Sequence, residues 1–159
     1  MDSSIYLKLT GRKQGLISSG CSTSDSIGNR YQIGHEDEIQ VLSFVHSLTR
    51  EQNSDHHPVD FIKIIDKSSP LLGIAISNNE VLNAFFDFYR INSFGVMEKF
   101  YTVELRDASI VDICANYPHS IDSSNAIPFE TISLAYKSIT WKHHIAGTSG
   151  YSIWDDRVY

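Results

Sequence analysis

Long apolar runs are missing from this 159-residue chain. No window approaches the roughly 20 apolar residues that a helix needs to cross a bilayer, and no basic amphipathic stretch is present to lie on an anionic surface. Clustered lysine and arginine are missing too. Thirteen basic against nineteen acidic side chains leave a net charge of −6, the wrong sign for neutralising phosphates, so nucleic acid is not an expected partner. Cysteine is scarce. Cys21 and Cys114 are too few and too far apart for a disulfide framework, and they read as reduced thiols of a protein folded in the cytoplasm. Cys114 lies in an apolar strand pattern, the setting of an inert buried thiol, whereas Cys21 lies in a polar loop among Ser19, Ser22 and Ser24. The opening residues MDSSIYLKLTG show strand-like alternation with charge and no apolar core, so no signal peptide is expected and export would bypass that route.

The usual marks of chemistry are also thin. Neither a Walker loop nor a dinucleotide fingerprint occurs, and the turn Gly147-Thr148-Ser149-Gly150 is too short to stand in for one. Seven histidines include the adjacent pairs His56-His57 and His143-His144. Neighbours on a strand point to opposite faces, so such pairs do not share a metal readily. The acidic runs Glu36-Asp37-Glu38 and Asp155-Asp156 read as solvated faces. No catalytic residue, metal or cofactor is assigned, and the chain is expected not to be an enzyme.

What is present is two-residue alternation. In residues 131–144, TISLAYKSITWKHH, Ile132, Leu134 and Tyr136 share one face, while Thr131, Ser133 and Lys137 fall mostly on the other. The pattern predicts one unusually long strand, the spine of a sheet curled around a core. Further strands are expected over 4–9, 39–47, 59–65, 83–91, 98–106 and 109–117, with Asn92-Ser93-Phe94-Gly95 and Asp107 as turns. One helix is predicted over 66–79, capped by Ser69, opened by Pro70 and carrying Leu71, Leu72, Ala75 and Ile76 on one face. Residues 20–34 and 118–128 read as polar surface excursions. The fold class is therefore mainly β, a two-sheet β-barrel or sandwich with one short flanking α-helix, and residues 1–159 are expected to form a single domain.

Residues 49–58, TREQNSDHHP, are the most polar window and connect two strand patterns. A hairpin needs only 2–5 residues there. Folded back, the surplus would project roughly 15 Å at about 3.3 Å per extended residue.

The segments HEDEI (35–39) and IDKSSPL (65–71) resemble the Hcp family, the tube protein of bacterial type VI secretion systems. IYLKLTG near the start, GLISSGC and DSIGNRYQIGHEDEI fit the same family, and the closing TWKHHIAGTSGYSIWDDRVY looks like its enterobacterial branch. The resemblance implies a β-barrel whose copies close into homohexameric rings, stacked into a hollow tube inside a contractile sheath and tipped by a spike protein. It implies export through that apparatus, with small effector proteins carried in the lumen, and no membrane insertion. Ending at Tyr159 after the family's closing motif, the chain is expected to carry no C-terminal toxin extension. On this resemblance Arg50, Glu51, His56 and His57 are expected to contact the next ring, and Tyr151 and Trp154 the neighbouring subunit. Charging all seven histidines would move the formal charge from −6 to +1, so contacts around His56, His57, His143 and His144 are expected to weaken between pH 7 and 5. The competing readings are a secreted effector acting through a binding surface on a target cell, and a hydrolase using histidine and carboxylate residues.

Overall fold

Alternating burial along the first strand shows how the sheet is built. In a computed structural model that describes residues 3–118, 121 and 127–154, β1 (Ser3–Gly11) turns Leu7 and Leu9 fully into the core and leaves Lys8 and Thr10 outside. It pairs antiparallel with β7 (Leu82–Ile91) along its whole length and with β3 (Ile39–Val45) on its other edge. From β3 the pairing runs to β6 (Val59–Ile64), β9 (Phe129–Ala135) and β8 (Met97–Asn116), and β8 returns to β7. Six strands thus close into a barrel, which removes the exposed edges an open sheet would carry. β10 (Ser138–His143) pairs with the first half of β8, and β11 (Thr148–Ile153) pairs with β10, so these two extend the sheet beyond the closed ring of strands. β2 (Gly15–Leu16) caps the end of β1, while β4 (Leu48–Arg50) and β5 (Ser54–His56) form a hairpin of their own. The core holds Leu7, Phe61, Phe86, Leu105, Ile132 and Ile139, contributed by six different strands.

Two expectations about strands change places. The stretch 131–144 is not one strand: β9 stops at Ala135 and β10 starts at Ser138. The buried positions Ile132, Leu134, Tyr136 and Ile139 explain why, because the last interval is three residues and the two-residue phase slips there. The long strand is instead β8, whose twenty residues run on through Asp107, the expected turn. Asp107 adopts φ +48°, a left-handed conformation that aspartate tolerates better than most residues, and its N–H donates to Asn83 Oδ1 at 3.2 Å. Before that corner β8 pairs with β7 and β10; beyond it β8 pairs with β9. One strand therefore serves two parts of the barrel wall, with its corner at Asp107, where β8 shifts register against β7 and exchanges β10 for β9.

The helix α2 (Ser69–Ser77) is shorter than residues 66–79 and packs on β8 through buried Leu72 and Ala75. Ser68 rather than Ser69 occupies the cap, and Pro70 stands in the first turn. A four-residue helix, α1 (Ser24–Ile27), and a 3-10 turn at Gly28–Arg30 lie within residues 20–34. That segment is anchored rather than wholly superficial. Cys21 is fully buried, and Ser22 Oγ donates to the Glu38 carbonyl at 2.5 Å. The two thiols are thus reversed from expectation, with Cys21 in the core and Cys114 exposed. Ile113 takes the inward position of β8, which leaves Cys114 outside. Burial pushes the Cys21 thiol up to about 11, with the nearby Asp66 carboxylate adding to it.

One fully buried charge ties these elements together. Lys63 on β6 lies directly opposite Glu130 on β9, and its Nζ stands 2.6 Å from Glu130 Oε1 and 3.1 Å from Asp66 Oδ1. Nζ also donates to the Ile64 carbonyl at 2.9 Å and to Ser69 Oγ at 3.2 Å. Ser69 Oγ accepts the Asp66 N–H and donates to Glu130, while Asp66 Oδ1 accepts the Ser68 N–H. The ammonium thereby joins two strands of the barrel to the entry of α2. Breaking a buried pair from one side leaves uncompensated charge, at a cost of about 3–5 kcal/mol. Lys63→Met, which strands two carboxylates, is expected to lower the urea unfolding midpoint more than Glu130→Gln, which leaves Lys63 paired with Asp66.

Candidate assembly interface

The β4–β5 hairpin carries the polar window 49–58 at an end of the barrel. Arg50 and Glu51 are exposed, and the Arg50 guanidinium donates to the Gln52 carbonyl at 3.3 Å. His57, half-buried, has its Nε2 3.0 Å from Thr49 Oγ1 across the hairpin. His56 is placed differently from the expectation that groups it with them. It is 4% exposed and turned inward, with Nδ1 2.7 Å from Tyr136 Oη and Nε2 2.9 Å from Ser152 Oγ. Its ring stacks on Trp154 at 5.8 Å. Alternation accounts for this: Asp55 and His57 face away, so His56 must face the barrel.

Trp154 likewise covers its own barrel, packing against the core with its ring 4.8 Å from Tyr136. Tyr151, three residues earlier, is 63% exposed on β11. The structure therefore brings His56 and Trp154 together inside the protomer and leaves Arg50, Glu51 and Tyr151 on its surface. Asp155 and Asp156 lie outside the described residues, as does much of 118–128.

A third participant went unread in the sequence. His46 Nε2 lies 2.9 Å from the same Tyr136 hydroxyl. That hydroxyl has one proton, so it can donate to only one imidazole and must accept from the other. Burial drives His46 and His56 below the usual imidazole range and drives the Tyr136 phenol up. The signal was present only as a polar residue beside a strand end, with nothing local to name its partner ninety residues on.

The HEDE segment proves to be a clasp. The His35 ring stacks on Tyr6 at 3.8 Å and meets Tyr89 edge-on at 5.0 Å. Glu36 Oε1 accepts the Gly34 N–H and Asp37 Oδ1 accepts the Gly20 N–H, both near 2.9–3.0 Å. His35 thus docks the segment 20–38 on β1 and β7, while Glu36 and Asp37 tie that segment to itself. His143 and His144 part to opposite faces: His143 Nδ1 accepts the Ala146 N–H at 3.0 Å, whereas His144 Nε2 lies 2.7 Å from Thr102 Oγ1. Exposed apolar side chains gather where β7 turns into β8, at Phe94, Val96 and Met97, and where β3 leads to β4, at Leu42, Val45 and Leu48.

A family model described as "Type VI secretion system effector, Hcp" matches residues 6–143. The chain belongs to the Hcp family. It is 41% identical to the "Major exported protein" of Pseudomonas aeruginosa over 96% of both chains. It is also 45% identical to YhhZ of Escherichia coli K12, an uncharacterised protein, over 93% of this chain, which spans only 37% of that relative's length. A solved Hcp protein shares the fold at a TM-score of 0.90 with 37% identity, covering 97% of this chain and 99% of the other. The secreted protein Hcp3 from Pseudomonas aeruginosa matches at 0.88 with 40% identity and the same coverage. The β-barrel with its flanking helix is thus the Hcp fold, and the chain is a type VI secretion protein.

The inward placement of His56 relocates the expected pH effect from ring contacts to the protomer itself. His46 and His56 have folded-state affinities for protons below the unfolded value near 6.5, so the unfolded chain binds more protons as pH falls through that value. Stability is then full above about pH 7 and declines below it. The urea midpoint is expected to fall between pH 7.5 and 5.5, and less steeply in His46→Asn.

Proposed function

We propose that this Hcp chain is a structural subunit of the type VI secretion inner tube, in which six copies close into a ring and rings stack. On this reading it is expelled with the spike from within the contractile sheath, carries small effectors in the lumen, and makes or breaks no bond. The observation that carries the reading is the match to solved Hcp structures along nearly the whole of both chains. Among the described residues no helix is long and apolar enough to cross a membrane, which accords with export through an apparatus.

The surfaces fit the task physically. β11 has β10 on one side and, among the described residues, no strand on the other, so its outer edge offers backbone donors and acceptors to a neighbour. Tyr151 stands on that edge strand, and tyrosine is enriched at the centres of protein interfaces. A ring requires a head-to-tail contact between two different patches, and the exposed apolar group at Phe94, Val96 and Met97 is a second patch. Arg50 and Glu51 at the hairpin offer polar contacts between rings. Exposed ion pairs contribute about 0–1 kcal/mol each, and repetition around a ring makes weak contacts cohesive together.

Light scattering on the purified protein is expected to give six times the 17.9 kDa protomer mass. Tyr151→Asp is expected to shift that mass toward the protomer. The pair Arg50→Glu and Glu51→Lys is expected to keep rings and abolish end-to-end tubes. A protomer mass at every concentration tested defeats the proposal.

A further inference from the structure

The outer face of β1, β7, β8 and β10 carries a cavity of about 420 Å³ whose lining differs in charge from the rest of the chain. Against a net charge of −6, three lysines reach it from three strands: Lys8 on β1, Lys99 on β8 and Lys142 on β10. Strand register fixes their arrangement. Lys142, Thr102 and Asp87 lie side by side across β10, β8 and β7, at about 4.8 Å per strand. Lys8 stands in the adjacent row with Phe85 and Glu104. Lys99 enters beside the irregularity where Phe88 and Tyr89 change register against β8.

The two carboxylates of the cavity are already engaged. Glu104 Oε1 accepts from Arg106 Nε at 2.8 Å, and Asp87 Oδ1 accepts the Thr102 hydroxyl at 2.8 Å. Among the described residues none of the three lysines forms an ion pair. The Thr102 hydroxyl has a single proton and gives it to Asp87. Its 2.7 Å contact with His144 must therefore be Nε2–H donating to Oγ1. This order differs from that of a nucleophilic triad, in which the histidine would take the hydroxyl proton. It fixes instead the His144 tautomer, leaving Nδ1 as the nitrogen that gains a proton when the ring charges.

We propose that this cavity is an oxyanion-binding site, taking a carboxylate, phosphoryl or sulfate group between Lys8, Lys99 and Lys142, with proton uptake on His144 coupled to binding. The groups facing His144 are Asp87 from β7, Lys99 from β8 and Lys142 from β10, while His143, its neighbour in sequence, acts on it from the opposite face. Desolvation and the two ammonium groups hold its imidazole below the ordinary range, and Asp87 opposes them only in part. An anion seated among the lysines offsets that repulsion and raises the proton affinity of His144. By linkage, the anion then binds more tightly as pH falls. The aromatic face of Phe85, 39% exposed, gives the site an apolar side, which suits an anionic group carried on a short carbon chain.

The test is a titration of the full-length protein at pH 6.0 and 7.5. The two probes are sulfate, whose charge is constant over that range, and glutarate. Saturable binding of either is expected, tighter at pH 6.0. Preference for sulfate points to phosphoryl-type groups, and preference for glutarate to acidic side chains. Lys99→Gln with Lys142→Gln is expected to weaken binding at least about tenfold, since each removes a charge-assisted hydrogen bond to the anion. His144→Asn is expected to retain binding at pH 7.5 and flatten the pH dependence. No saturable binding of either probe, or binding unchanged in the double lysine variant, overturns the proposal.

Discussion

The buried ammonium of Lys63 is the constraint on which the barrel's geometry turns. An unpaired charge in that position would be expelled or neutralised, so β6 can settle only in the register that sets Lys63 opposite Glu130. The same ion reaches Asp66, where the chain leaves the sheet for α2, and Ser69 Oγ links the Asp66 N–H to the Glu130 carboxylate. Strand register and helix placement are thus set by one group. Hydrophobic burial supplies the driving force, with Leu7, Phe61, Phe86 and Ile132 fully enclosed, and it opposes a one-residue slip, whereas a two-residue slip would keep the apolar face but part Lys63 from Glu130.

Closure of the barrel depends on a second device, the corner at Asp107. A strand that exchanges one neighbour for another must bend, and a register shift with a single left-handed residue does this at modest conformational cost. β10 and β11 then continue from the first half of β8, which is why the fold carries an extra pair of strands beyond its closed ring. The extension leaves β11 at the edge of the sheet among the described residues, while the closed part encloses the core.

Much of this was legible in the residues, and the failures have definite causes. Alternation located β1, β3, β6 and β7 to within a few residues, since each buries one face. It misjudged 131–144 because the eye follows apolar residues and passes over the three-residue step from Tyr136 to Ile139. It split β8 because Asp107 looks like a turn when only its type is known. Cys114 was misread for the opposite reason: Ile110 and Ile113 made the stretch look enclosed, yet strand phase sends position 114 outward. The paired contacts of His46 and His56 with Tyr136, and the Lys63 cluster, join residues sixty to ninety positions apart, and no local pattern announces them. Family resemblance supplied the architecture, but it grouped His56 with surface residues that this chain separates from it.

Membership of the Hcp family and the shape of the protomer support the proposed account: a barrel with, among the described residues, an unpaired edge strand at one side and a polar hairpin at an end, surfaces suited to meeting copies of itself. Electron microscopy of the purified protein is the most direct test. The account predicts face-on class averages of hollow rings with six-fold symmetry, in which β11 of each copy lies against its neighbour. Isolated 17.9 kDa particles, or closed assemblies with β11 facing solvent, would contradict it.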